Sequence, residues 1–186
     1  MGKAKFNGHA GHNPSGKIAC GATGLLDESK ENRLIFKWFK YYLRKKGYTI
    51  YQCSTASGTS QRNVLERICA KSNKHTVDMD FSFHLNSGRN DKKGDGKNGG
   101  FEVWACSWTG KKKAVANACC KAMHELGFTN RGLKTSSGLY YLNHTKAPAL
   151  LFEICFVDDR DDYNLYKKVG YKKIAKALAD AVASQY

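Results

Sequence analysis

The sequence predicts a single α/β domain built on a mostly parallel sheet of five or six strands. Strand-like and helix-like segments alternate along the chain, and this order places helices on both faces of such a sheet. Segment 78–86 is the clearest strand, because its apolar and polar side chains alternate with a period of two residues. A chain of 186 residues with 41% hydrophobic residues is long enough for one well-filled core and short for two.

The first half of the chain contains two predicted helices, each preceded by a strand. Asp27 is placed to cap the first helix, whose apolar side chains recur at helical spacing until Gly47 ends it. A glycine-rich loop precedes this helix. The predicted order is a strand over 5–10, the loop over 11–24, the first helix, a strand over 48–53, a helix around 64–69 and the strand over 78–86.

The second half begins with a polar loop over 87–100, which its glycines and charged residues predict to be mobile. Gly127 is placed to end the helix that lies beyond this loop. Strands and helices then alternate again along the chain. The remaining predicted elements are strands over 101–108, 139–142 and 149–157, a helix over 115–126 and closing helices that end near Val182.

Composition limits the classes of function. A formal charge of +15 predicts attraction to polyanions, among them nucleic acid, anionic lipid and phosphate-rich bacterial wall polymers. Seven cysteines without CxxC spacing, and no secretory signal segment, favour reduced thiols over a disulfide framework. No run of 18 apolar residues occurs, so the protein is expected to be made in soluble form without a membrane anchor.

One carboxylate stands where a buried strand is predicted. Glu153 lies inside the apolar run 149–157, and a charged group in such a position must be paired, hydrogen-bonded, metal-associated or neutralised. His84 lies at the end of the polar face of the strand over 78–86. Open α/β folds place their chemistry where strands end. We therefore expect a site at one edge of the sheet.

Two histidines and a carboxylate form a candidate metal-binding set. Zinc hydrolases often use such a set and leave the fourth position to water. His12 follows the first strand, Glu28 opens the first helix and His84 ends the third strand. Each has an ordinary structural alternative: a loop histidine, an acid favoured by the helix dipole and a satisfied strand-end histidine. The alternative for Glu153 is a buried carboxylate paired with a lysine or arginine.

Five motifs, spread over residues 5–183, occur here in the order in which a known family carries them. The chain resembles the zinc-dependent N-acetylmuramoyl-L-alanine amidases, particularly the catalytic domains of bacteriophage endolysins and related clostridial wall hydrolases. The motifs are Ala10-Gly11-His12, Gly24-Leu-Leu-Asp-Glu28 with Asn32, Phe81-Ser-Phe-His84-Leu-Asn86, Asn130-Arg131-Gly132 and Leu150-Leu-Phe-Glu153-Ile-Cys-Phe.

The resemblance implies a fold, a reaction and a site. It implies a twisted, mostly parallel sheet of about six strands between helices, with His12, Glu28 and His84 as zinc ligands and Glu153 as the catalytic acid/base. The reaction would be hydrolysis of the amide bond between N-acetylmuramic acid and L-alanine in peptidoglycan. Residues 1–186 would be one catalytic domain with no separate wall-binding domain. A monomeric phage or prophage enzyme, made in the cytoplasm, would then reach the wall after release.

The loop over 13–24 departs from the family, because it lacks the paired glycine and aspartate found after the histidine in many members. His9 is therefore a competing ligand, although the order of the family's motifs favours His12. Cys20, in the same loop, and Cys155, two residues after Glu153, are soft ligands in principle. We expect both to be buried thiols.

Two other functions remain open. Arg44-Lys45-Lys46 and the Lys111–Lys113 run are typical of a solvated face, but they could serve nucleic acid or anionic wall polymers in a module without catalysis. No nucleic-acid motif accompanies them, so nucleic acid is the disfavoured partner. A zinc peptidase cutting within the stem peptide would need the same site. Arg131 either orients substrate or braces a turn, and the structural role is favoured.

Overall fold

The computed structural model describes residues 2–186, which form six strands and six helices. Strands and helices alternate through most of the chain, as the sequence predicts. The elements are β1 (Lys5–Ala10), α1 (Glu28–Lys45), β2 (Thr49–Gln52), α2 (Gln61–Ser72), β3 (Met79–Asn86), β4 (Phe101–Ala105), α3 (Lys111–Glu125), β5 (Asn130–Thr135), α4 (Tyr140–His144), β6 (Ala149–Phe156), α5 (Arg160–Val169) and α6 (Tyr171–Ala183).

The six strands form one sheet in the order β2-β1-β3-β6-β4-β5. The first four strands in this order are parallel, β4 runs antiparallel to β6, and β5 is parallel to β4. The prediction of a mostly parallel sheet of about six strands is therefore confirmed. Because β1, β3 and β6 are parallel neighbours, their carboxyl ends lie at the same edge of the sheet.

One face of the sheet is apolar and forms the main core with α1, α3 and α6. Phe6, Phe81, Phe83 and Phe152 are fully buried on this face, with the rings of Phe81 and Phe152 stacked at a centroid distance of 5.7 Å. Burial of each such side chain contributes roughly 1.5–3 kcal/mol to stability. This face holds the strands in place and carries none of the candidate site side chains.

The opposite face of the sheet is covered by α2 and α4. It is polar near the carboxyl ends of β1, β3 and β6. Asp80, Ser82 and His84 point to this side, as the period-2 pattern predicts. Buried Asp80 accepts hydrogen bonds from the hydroxyl of Tyr141 at 2.7 Å and the amide of Asn7 at 3.1 Å. These bonds offset the cost of burying the carboxyl group.

One predicted strand is wrong, and one strand of the sheet was not predicted. The segment 139–142, predicted as a strand, lies in the short helix α4, where the adjacent residues Tyr141 and Leu142 are both buried in the cluster with α2. The fifth strand is instead β5, whose residues are half-exposed or exposed. An exposed edge strand buries neither face fully, so its sequence lacks the alternation of apolar and polar residues by which strands are predicted.

The loop over 87–100, predicted to be mobile, is fastened to the start of α5. Asp158 accepts backbone hydrogen bonds from Gly88, Arg89 and Asn90 at 2.9–3.3 Å. Asp161 accepts two more from the loop's backbone. This loop therefore has fixed attachment points directly after β3. Across residues 2–186, no helix combines the length and the apolar character needed to cross a lipid bilayer.

Candidate metal centre

Three side chains from separate parts of the chain meet at the carboxyl ends of β1 and β3. His12, Glu28 and His84 each offer a ligand atom within 4.8 Å of the other two. Glu28 Oε1 lies 3.2 Å from His12 Nε2 and 2.8 Å from His84 Nδ1. The three residues that sequence analysis put in one set are thus brought together, although 56 residues separate Glu28 from His84.

The backbone at His12 turns sharply into the site. His12 has a φ of +63°, in the left-handed region that non-glycine residues seldom adopt. Its carbonyl accepts a hydrogen bond from Arg33 Nη2 at 2.7 Å, and the carbonyl of Gly11 accepts one from Asn32 Nδ2 at 3.1 Å. Residues in the second turn of α1 therefore hold the backbone conformation that aims the His12 ring.

Glu28 is positioned by the start of α1. Asp27 caps this helix by accepting a hydrogen bond from the backbone of Lys30, as predicted, so Glu28 is the first helical residue. Its side chain is nearly fully buried, and Oε2 accepts a hydrogen bond from the backbone of Ala22 at 2.8 Å. Burial raises the pKa of Glu28, but the hydrogen bonds with His12 and His84 outweigh it and hold the pKa well below its usual range. Glu28 is therefore a carboxylate.

Two glycines leave the space that the ligand side chains fill. A Cβ atom on Gly11 would collide with the imidazole of His84, and one on Gly21 would collide with the carboxylate of Glu28. Neither glycine has a positive φ, so close packing against the site, rather than backbone conformation, requires glycine at both positions.

We expect Gly11→Ala to weaken metal binding by about 10- to 100-fold, the range seen when groups that position a ligand are lost. The added methyl group would displace the His84 ring from its position beside Glu28. The affinity for zinc is measured by competition with a chromophoric chelator. Gly138→Ala is the matched control, because a Cβ there meets only the Ser136 hydroxyl at an ordinary contact distance of 3.8 Å. Equal zinc affinity of the Gly11 variant and the unmodified protein would contradict this prediction.

Glu153 lies beside the three side chains with one oxygen unpaired. On β6 it is the register partner of His84 on β3, and it lines the same cavity, about 300 Å³ in volume. Within residues 2–186, its buried Oε2 has no hydrogen-bond partner. Burial, together with the negative charges of Glu28 and Glu102, raises the pKa of Glu153 well above its usual value. A carboxyl group in this state can hold a proton and release it.

The arrangement fits a bound divalent metal ion. Two imidazole nitrogens and one carboxylate oxygen face one another, which is a donor set typical of metals that accept nitrogen ligands. Gly11 and Gly21 leave room for these donors, and Glu28 supplies a buried negative charge. The donor atoms, the space around them and the buried charge therefore all fit a divalent metal ion.

A sequence model of one protein family, described as N-acetylmuramoyl-L-alanine amidase, matches residues 7–184. The chain belongs to this amidase family. The match includes His12, Glu28, His84 and Glu153 and extends over nearly all of the fold.

Individual amidases and related proteins resemble the chain over different lengths. The catalytic domain of the CD27L endolysin, which targets Clostridia difficile, superposes with a TM-score of 0.83 at 27% identity, covering 98% of both chains. Cwp6 from Clostridium difficile gives a TM-score of 0.81 at 25% identity, with all of this chain matching 29% of Cwp6. The endolysin of Bacillus phage SPP1 is 31% identical over 121 residues, which are 61% of this chain and 42% of that endolysin.

Two uncharacterized proteins of Clostridium perfringens also match most of the chain. They are 29% and 30% identical over 175 residues, which make up 92% of this chain. The same residues are 49% and 48% of those proteins, so the chain spans about half the length of the curated relatives it matches.

A second buried carboxylate, which sequence analysis missed, lies next to Glu153 on the neighbouring strand. Glu102 on β4 is the register partner of Glu153 and is almost fully buried. It accepts hydrogen bonds from Arg131 at 2.7 Å, Asn86 at 2.9 Å and Trp104 at 3.0 Å. Phe101-Glu102-Val103 carries the same signal as the Glu153 strand, a carboxylate inside an apolar run. Arg131 is thus an ion-pair partner of Glu102.

The other candidate ligands lie outside the three-residue set. His9 is buried between the sheet and α4, with Nε2 2.8 Å from the hydroxyl of Ser82 and its ring against Tyr141. Cys155 is buried in the core, as expected. The expectation of a buried thiol is wrong for Cys20, which is exposed and lines the cavity beside His12. Ala19, Gly21 and Ala22 of the same loop also line this cavity, so the thiol lies on its exposed wall.

Proposed function

We propose that the chain hydrolyses the amide bond between the lactyl group of N-acetylmuramic acid and L-alanine in peptidoglycan, with zinc held by His12, Glu28 and His84. The observation that carries the proposal is the unpaired, buried oxygen of Glu153 beside these three side chains. Family membership over residues 7–184 and the likeness to the CD27L catalytic domain support the choice of substrate.

Zinc is preferred over magnesium and calcium because of the donor set. Magnesium and calcium take oxygen ligands almost exclusively, whereas two of the three donors here are imidazole nitrogens. When bound, zinc supplies Lewis acidity toward the lactyl carbonyl group and lowers the pKa of water toward neutrality.

Glu153 moves the proton that the hydrolysis requires. Its Oε2 accepts one proton from the water that attacks the lactyl carbonyl carbon. The same oxygen then delivers that proton to the nitrogen of L-alanine as the amide bond breaks, so the products are a lactyl carboxylate and a free amine. Burial favours the protonated form of Glu153, and a nearby dication favours the ionised form, so the carboxyl group is suited to both roles.

Chelation is expected to abolish cleavage of purified Gram-positive walls, and zinc is expected to restore it. Loss of turbidity is followed for the protein as isolated, after chelation, and after addition of zinc, magnesium or calcium. Mass spectrometry of the fragments should find free N-terminal L-alanine and intact glycan strands. Magnesium and calcium are the matched controls and should not restore cleavage.

Two results would contradict the proposal. New amines within the stem peptide, with the lactyl-alanine bond intact, would identify a peptidase that uses the same site. No clearing on several walls, together with no stoichiometric zinc, would favour a polyanion-binding module without catalysis.

A further inference from the structure

A large cavity lies apart from the metal centre. It is about 890 Å³ in volume and lies at the β2 edge of the sheet, between α1 and α2. None of its lining side chains is acidic. Five are cationic, and together they define the basic groove: Arg33, Lys37, Lys40, Arg67 and Lys71.

Four of the cations of α1 form a continuous line. Arg33, Lys37, Lys40 and Arg44 follow one another at spacings of four, three and four residues, which places them on one face of the helix. A shallower depression of about 420 Å³ includes Lys37, Lys40 and Arg44 and extends the basic groove along α1. Eleven residues of helix correspond to roughly 16 Å, so the surface is long enough to contact several charges of one linear polymer.

This arrangement is unfavourable for the protein alone. Like charges three or four residues apart on a helix destabilise it, and the groove contains no carboxylate to compensate. Burial lowers the pKa of Lys40, and the positive charge of Arg44 on the next turn lowers it further. A bound polyanion would remove the repulsion.

We propose that the basic groove binds a linear phosphodiester polymer of the bacterial cell wall, and this inference rests on the proposed action on peptidoglycan. Ammonium and guanidinium groups, with the hydroxyls of Ser54 and Ser57 on the groove wall, match phosphate oxygens. Arg33 joins the groove to the metal centre, because its guanidinium also donates to the carbonyl of His12. A polymer held here keeps the wall beside the cavity that contains Glu153.

The groove suits a wall polymer better than a nucleic acid. Proteins that bind single-stranded nucleic acid combine basic grooves with exposed aromatic rings on which bases stack. The aromatic residue of this groove, Phe36, is only 3% exposed. The exposed ring of Tyr41, in the adjoining depression, already packs edge-on against Trp38 and Tyr42.

The test measures binding to walls with and without their phosphate polymers. All proteins in the binding test carry Glu153→Gln, so that the walls are not degraded. Binding is measured to purified Gram-positive walls before and after acid extraction of the phosphodiester polymers. The test variant is Lys37→Gln/Lys40→Gln/Arg67→Gln. Arg33 is kept because it supports the His12 loop. The control, Lys113→Gln/Lys121→Gln/Lys168→Gln, removes the same charge from exposed positions on α3 and α5.

We expect the groove variant to bind intact walls about tenfold more weakly than its parent at 0.15 M salt, with a flatter dependence on salt concentration. The control variant should lose much less affinity, and the extracted walls should bind the parent and both variants alike. Circular dichroism and thermal melting establish that both variants are folded.

Three outcomes would overturn the inference. The groove and control variants could lose the same affinity, which would mean that net charge alone matters. The parent could bind intact and extracted walls equally. An oligonucleotide could displace the parent at a lower phosphate concentration than purified wall polymer, which would assign the groove to nucleic acid. Because binding is read in an inactive background, failure of the unmodified protein to release L-alanine amines would contradict only the proposed activity.

Discussion

Glu153→Gln is expected to lower the rate of peptidoglycan cleavage by about 10²- to 10⁴-fold while zinc remains bound. Glutamine has nearly the same size as glutamate but cannot accept and return a proton. It also keeps the neutral state that burial favours at this position, so the folded protein should be retained. Cleavage rate, zinc content and melting temperature are measured on the same preparation.

The control for this change is Glu125→Gln, which makes the same substitution on a side chain that is 64% exposed at the end of α3. It should cleave walls at the parent rate. Undiminished cleavage by the Glu153 variant would remove Glu153 from the reaction. Loss of zinc from that variant would instead mean that Glu153 acts on the metal site and not on the substrate.

His84→Ala is expected to abolish both zinc binding and cleavage. His84 supplies one of three facing donors, so its removal should cost more than the roughly 10- to 100-fold that loss of a group supporting a ligand costs. It also leaves the buried Glu28 with one fewer hydrogen-bond partner. Zinc stoichiometry is measured by elemental analysis after dialysis, and cleavage is measured on the same walls.

Two other histidines provide the controls for His84. His124→Ala, on the exposed side of α3, should retain zinc and activity. His9→Ala should retain stoichiometric zinc but melt at a lower temperature, because the buried hydroxyl of Ser82 loses its partner. If the His9 variant lost zinc and the His84 variant kept it, the proposed ligand set would be wrong.

Sequence patterns predicted the parts of this fold that repeat regularly. The alternation over 78–86 identified β3 and put His84 on its polar face, and Asp27 identified the start of α1. The same reasoning failed for β5, an edge strand with little burial, and for α4, a five-residue helix too short to show a helical period. Short peripheral elements depend more on neighbouring segments than on their own residues.

The site was only partly predictable for a related reason. An isolated carboxylate in an apolar run identified Glu153, and the same signal at Glu102 was overlooked. The contact between Arg33 and the carbonyl of His12 joins residues 21 positions apart through backbone atoms, which leaves no signature in the sequence. The left-handed backbone of His12 is likewise held by these tertiary contacts.

The two unlike faces of the sheet have a consequence for protein engineering. The sheet residues on the face under α1, α3 and α6 are apolar and closely packed, and volume-conserving substitutions are tolerated well at such positions. The face under α2 and α4 carries Asp80, His84 and Glu153. Asp80 makes buried hydrogen bonds, and His84 and Glu153 belong to the proposed site. A programme of thermostabilisation that redesigns only the apolar side chains of the first face is therefore expected to raise the melting temperature without altering the side chains of the proposed site.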